Sequence, residues 1–344
     1  MVAFAVYPIG AALFRETGMP KRFIPAAIAL GSFTFTMTAF PGTPAIQNAI
    51  PSPFFGTNTF AAPGLGIIGG LIMMIGGILW LQNRTRQAMI AGEGYREHLH
   101  EGLEPSKDVE HGPSISIALL PILLVIGLNA LFTYVVFPNI DASILAEPRY
   151  GATELSKVAG LWSIIVALVI AIIFIIVVHW QRWKNVIESL NAGTMGSLLP
   201  IFNTASEVGY GNVIASLPAF VVVKNAVLGI SENPLISEAV AVNVLAGITG
   251  SASGGMSIAL STLGAQYLEL ANKMGISPEL LHRVAVMSSG CFDSLPHNGA
   301  VITLLGICRL THKQSYFDIF IVSVVIPLSA LVAVITLGTL FGSF

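Results

Sequence analysis

Charge is scarce in this sequence of 344 residues. Asp, Glu, Lys and Arg make up 10% of it, against about a quarter in an ordinary soluble chain, which excludes a cytosolic globular enzyme. A basic excess is missing too: 16 Lys and Arg stand against 18 Asp and Glu, so no electrostatic footprint for nucleic acid is present. Cysteine is nearly absent. Cys291 and Cys308 lie in apolar sequence, offer neither a disulfide framework nor a CxxC metal site, and read as buried hydrophobes. The opening run, Met1 to Phe14, lacks the basic start and small-residue cleavage site of a secretory signal and is too short to cross a membrane alone; it reads as the tail of a helix. What is abundant is apolar sequence, 54% of residues with a mean hydropathy of +0.79, and that composition demands a bilayer.

Four uncharged runs reach the length of about 20 residues that a membrane helix needs: Ala61 to Leu81, Ile115 to Phe137, Val158 to Val178 and Ile319 to Phe344. Residues 22 to 60, 191 to 230 and 236 to 308 are apolar but interrupted by Gly, Pro, Ser, Thr and Asn. The stretch 82 to 114 is hydrophilic, carries both signs of charge and reads as a solvated loop; His98, His100 and His111 there have no companion cluster at zinc spacing. Orientation follows from Lys and Arg in short loops. Arg15, Lys21, Arg22, Arg84, Arg86, Arg96, Lys107, Arg182, Lys184, Arg309 and Lys313 share one side if 23 to 81 crosses twice, 191 to 230 dips in and returns, and 236 to 308 crosses twice. Only Arg149, Lys157, Lys273 and Arg283 then lie outside, which makes 82 to 114 a cytoplasmic loop of a multi-pass inner (plasma) membrane protein.

Sliding residues 2 to 81 against 257 to 336 aligns one pattern: an apolar run, a short polar joint, a helix broken at a Pro-containing stretch, and a closing membrane helix. The orientation sends 23 to 40 outward and its mate 280 to 292 inward, and opposite-facing copies are the mark of inverted-repeat secondary transporters. The expected architecture is therefore all-α and integral to the membrane, with 1 to 81 as the remainder of a first repeat. Residues 115 to 344 form a second repeat of two helices, a re-entrant hairpin at 191 to 230, broken helices over 236 to 308 and a closing helix at 315 to 344. The first copy lacks the elements that precede the second, so the chain is expected to be a fragment or a shortened relative of a two-repeat carrier.

In hydrocarbon an unpaired backbone N–H or C=O costs several kcal/mol, so a break at membrane depth survives only where protein, substrate or water satisfies it. Breaks fall at Pro41 to Pro44, at Asn203 to Asn212 (NTASEVGYGN), at Thr249 to Gly255 (TGSASGG) and at Asp293 to Gly299 (DSLPHNG). Close helix packing is the plain alternative for TGSASGG, an interfacial turn for NTASEVGYGN, and a surface loop for DSLPHNG. Against these stand the hydroxyls of Ser251 and Ser253, the acid Glu207, and the crossing that must join Arg283 to Arg309. Freed helix N-termini carry roughly half a positive charge and suit a carboxylate. The substrate-binding candidates are Thr43, Asn203, Thr204, Ser206, Gly209, Gly211, Asn212, Ser251, Ser253, Ser294 and Asn298. Glu207, Asp293 and His297 are the candidates for cation coupling, to H⁺ or Na⁺. Glu238, Glu269 and Lys224 sit at ends of apolar runs and read as snorkelling side chains. No cofactor or resident metal is implied.

The constellation resembles the gluconate permease (GntP) family of cation-coupled carboxylate symporters. The likeness is carried by VGYGNVI, then GSASGGMS, then SSGCFDSLPHNGAVITLL, and near the start by GMPKRFIPAAIALGSFTFTMTAFPGTPAI. It lacks the family's opening portion. The second break reads Leu295-Pro296-His297-Asn298 where the family has His-x-Asn-Asp, and Thr38, Ala39 and Phe40 stand where it has His and a double Pro. The resemblance implies symport of a small organic anion across the inner membrane, movement of a hairpin-bearing domain against a scaffold, and a homodimer. This chain has few polar partners for a sugar acid, so a short hydroxy acid such as 3-hydroxybutyrate is as good an expectation as gluconate. The alternatives are an intramembrane enzyme using Asp293 and His297 as acid and base, for which no HExxH, GxSxG or paired-aspartate motif is present, and an anion channel.

Overall fold

The computed structural model describes residues 2–95, 115–150, 152–183, 185–219, 221–222, 225–226 and 229–344. His98, His100, His111, Arg96, Lys107 and Lys224 lie outside them. Among the described residues the regular structure is helical, with no strand. Four helical segments are long and apolar enough to cross a membrane: Pro63–Ile90, Leu119–Asn139, Val158–Val178 and His312–Phe341. They coincide with the four uncharged runs, because a chain in hydrocarbon must satisfy its own backbone groups. One boundary moves. The first of these helices runs past Leu81 to Ile90, because Arg84 is held within it by Asp318 at 3.1 Å.

In chain order the helices are α1 (Val2–Glu16), α2 (Ile24–Ser32), α3 (Phe35–Thr38), α4 (Ile46–Ala49), α5 (Ser52–Phe55), α6 (Pro63–Ile90), α7 (Ile115–Leu131), α8 (Leu155–Val178) and α9 (Val186–Ser216). There follow α10 (Pro234–Thr249), α11 (Ala252–Met274), α12 (Pro278–Cys291), α13 (Gly299–Cys308), α14 (His312–Phe320) and α15 (Ile326–Phe341). Two stretches can be set side by side by element order. α1, α2 with α3, a break, α4 with α5, and α6 are matched by α11, α12, a break, α13, and α14 with α15. Neighbours correspond as well: α1 packs on α2 as α11 packs on α12, α2 on α6 as α12 on α15, and α6 and α15 pack on each other. Each copy turns its joint on a glycine with φ 69, Gly18 and Gly275, followed by Pro20 or Pro278, so that a left-handed helix stop is succeeded by a residue suited to a helix start.

Three expectations are corrected. A re-entrant hairpin over 191 to 230 is not what the backbone does: α9 runs as helix through NTASEVGYGN. The stretch holds no Pro between Pro200 and Pro218; Gly209 and Gly211 each cost only about 1 kcal/mol in a helix, and α9 lies along α11. Arg283 is not an outer loop residue but lies inside α12 with 0% exposure. Glu238 does not snorkel, being likewise at 0%. Glu269, by contrast, is a surface residue paired with Lys273 at 2.6 Å.

The hairpin the structure does contain is α10 with α11. The two helices pack along one another and are joined only through Gly250 and Ser251. Gly255 permits this closeness, since a Cβ there would lie 2.2 Å from the backbone N of Ala246. One core cluster joins α10, α11, α12 and α15, and a second joins α1, α2, α13 and Val322.

Candidate functional site

The tip of the α10/α11 hairpin is built from TGSA. α10 ends at Thr249, Gly250 reverses the chain at φ 65, and Ser251 adopts extended backbone ahead of α11. The Ser251 hydroxyl accepts from the N–H of Gly254 at 3.1 Å and stands 3.4 Å from the Ser253 hydroxyl. Thr249 turns its hydroxyl back to the Leu245 carbonyl at 2.8 Å.

Against this tip lies the break between α12 and α13. Pro296 bars Leu295 from helical backbone, and Leu295 takes ψ 157. Asn298 then serves four partners. Its Oδ1 accepts from the N–H groups of Ala300 at 2.6 Å and Val301 at 3.4 Å, opening α13. Its Nδ2 donates to the Gly250 carbonyl at 2.6 Å and to Asp293 Oδ1 at 2.8 Å. Beside it, His297 Nε2 donates to the Gly247 carbonyl at 2.8 Å. Gly247 and Gly250 stand at the C-terminal end of α10, where carbonyls have no partner within the helix. The closing helix supports the break from behind, with Tyr316 donating to the Ser294 carbonyl at 3.0 Å and His312 to that of Pro296 at 2.8 Å.

Two helix N-termini, of α11 and α13, thus meet one C-terminus, of α10, at a single point. A side chain at position 250 would begin 3.8 Å from the Asn298 Cα. N-terminal amides favour an anion, while the α10 carbonyls and Asp293 favour a cation. Ser253, Ser294 and Asn298 are buried, and the Ser294 hydroxyl has no hydrogen-bond partner among the described residues. No group of three or more His, Cys, Asp and Glu placed to hold a metal ion occurs among the described residues.

Of the residues singled out in the sequence, Ser251, Ser253, Asp293, Ser294, His297 and Asn298 come together here. Asn298 is committed to structural bonds on every side, so it organises the site. Ser206 and Gly209 are exposed on α9; the structure describes the backbone but not the side chains of Asn203, Thr204, Glu207, Gly211 and Asn212. Thr43 belongs to the first break, buried with its hydroxyl unpartnered.

That first break is filled by protein donors. Arg283 donates to the carbonyls of Ala61 at 3.0 and 2.7 Å, Ala39 at 3.1 Å and Thr59 at 3.4 Å, and to Asn48 Oδ1 at 3.2 Å. Asn48 reaches the carbonyls of Thr59 and Thr43, and Asn129 that of Gly42. Asp293 lies ten positions beyond Arg283, about 15 Å of helical rise, so the two breaks are separate places on α12. Sequence reasoning missed Arg283; the available signal was a His-Arg pair inside an otherwise apolar helical pattern.

These features define a multi-pass, all-α membrane transporter. The chain is 44% identical, over an alignment of 358 positions covering 99% of it and 75% of the relative, to the uncharacterized transporter YxjC of Bacillus subtilis (strain 168), and it belongs to that transporter family. No family model matches the chain, and no solved structure matches it.

Proposed function

We propose that the chain is a secondary active transporter that imports a small organic anion together with a cation across the plasma membrane, as its resemblance to the gluconate permease family implies. The observation that carries this reading is the meeting of the hairpin tip with the second break through Asn298. One solute charge of each sign finds its complement there: the anion at the N-termini of α11 and α13 beside Ser251, Ser253 and Ser294, the cation at Asp293 and the α10 carbonyls, with His297 bracing them. Gluconate and short hydroxy acids are the substrate class, and H⁺ or Na⁺ the coupled ion. One net charge moving through 100 mV yields about 2.3 kcal/mol, so symported cations let modest gradients concentrate an anion. The matched element order of the two copies supports inverted repeats, and the α10/α11 hairpin is the element placed to move against the rest.

Uptake of labelled gluconate and 3-hydroxybutyrate into proteoliposomes, with and without imposed pH or sodium gradients, tests the reading. A symporter accumulates solute, a channel only equilibrates it, and an enzyme does neither. Asp293→Asn is expected to abolish gradient-driven accumulation while leaving the protein folded; unchanged accumulation would remove Asp293 from the coupling.

A further inference from the structure

Glu238 lies near the start of α10, with 0% exposure and neither carboxyl oxygen hydrogen-bonded. The elements packed against α10 are α11, α12 and the turn at Phe292–Ser294. From α11 the titratable group facing Glu238 is Tyr267, whose hydroxyl is 3.5 Å from Ser237 Oγ. From α12 the charged or titratable groups are Glu279, which is exposed, Cys291, whose thiol lies 3.4 Å from the Met287 carbonyl, and the pair His282 and Arg283. That pair is directed to the first break, His282 to Thr57 and Arg283 to Ala39 and Ala61. From the turn, Asp293 sits at the opposite end of α10, bonded to Asn298. Glu238 therefore has no cation and no donor beside it. A carboxyl group stripped of water and of every donor is stable only as the neutral acid.

Its position gives that proton a use. Glu238 is on the same helix as the tip, twelve positions before Gly250, about 18 Å along the axis. Whatever opens the packing of α10 against its neighbours lets water reach the carboxyl. We propose that Glu238 is a proton-binding site of the transport cycle, holding H⁺ while α10 is seated between α11 and α12 and releasing it when that packing parts. This rests on the symport reading above and adds a proton to the cation placed at Asp293. The carboxylate takes a proton from water on one side, forming the O–H bond, and returns it to water on the other. A ligand bound by one of two conformations favours that conformation, so acid favours the seated state and alkali the parted one. Proton and anion are then carried at the two ends of one rigid helix.

The experiment uses the full chain in proteoliposomes, with labelled gluconate and 3-hydroxybutyrate as probes and two readouts: solute exchange without a gradient, and accumulation under a pH gradient. One pH unit supports about tenfold accumulation per coupled proton. In Glu238→Gln exchange is expected to persist while the response to the pH gradient is lost, and in Glu238→Asp the pH profile is expected to shift. A native response to the pH gradient in Glu238→Gln overturns the proposal. So does loss of both activities in Glu238→Gln together with an unshifted profile in Glu238→Asp, which would make the residue structural. If the native chain accumulates neither acid under any gradient, the symport reading itself fails and takes the proposal with it, a result visible before any variant is made.

Discussion

Arg283 shows how one side chain can replace a stretch of secondary structure. Where the chain leaves helical form just after Thr38 and again between Phe55 and Pro63, carbonyls of Ala39, Thr59 and Ala61 face the guanidinium fork, which takes all three together with Asn48. The planar, five-donor geometry is what allows this, and Lys has no equivalent. Arg283→Met keeps bulk and removes every donor. Each buried group left unpaired costs about 1–3 kcal/mol, so the variant is expected to lose at least about 3 kcal/mol of stability, with Arg283→Lys intermediate. Thermal unfolding in detergent reads this directly, and a native melting temperature in Arg283→Met would contradict it. The residue is hidden from sequence reasoning by its charge, which reads as that of a loop cation. Glu238 is hidden by its place at the end of an apolar run, where an acid reads as snorkelling.

Among the elements, the α10/α11 hairpin depends on a close approach that only glycine permits. At Gly255 an added methyl would meet backbone, with 2.2 Å to Ala246 N and 2.3 Å to its Cα, and backbone does not yield as a flexible side chain does. Gly255→Ala is expected to cost about 1–3 kcal/mol as overpacking and to impair transport by splaying the tip. Gly264→Ala, where the nearest atom is 3.6 Å away, serves as the tolerated control; equal melting temperatures and uptake in the two variants would contradict the account. The breaks at Thr249 to Gly255 and Asp293 to Gly299 were legible in sequence because Pro296 and the Gly-Ser run act on the local backbone. The supposed break at Asn203 to Asn212 was not a break, since Gly and polar residues without proline weaken a helix without ending it, and packing on α11 decides the outcome.

For the molecule as a whole, the four long spans could be read from hydropathy alone, because the bilayer imposes their length. Charged residues from distant parts of the chain also meet in space. Arg22 pairs with Glu93 at 2.6 Å, Arg84 with Asp318 at 3.1 Å, and Arg22 reaches Asp318 at 3.5 Å. The joint after α1, the end of α6 and the start of the closing helix thus meet through ion pairs. What sequence did not carry was which broken segments face each other, since that depends on the fold of the intervening chain: the tip at Gly250 meets the break at Asn298, 48 positions further on. The account stands on an anion occupying that meeting point. Ser251→Cys, labelled by a small maleimide in membranes, measures it. At a concentration of the transported acid ten times its Kd, labelling is expected to slow about tenfold, as occupancy dictates. An unchanged labelling rate, in a variant that still transports the same acid, would place the anion elsewhere.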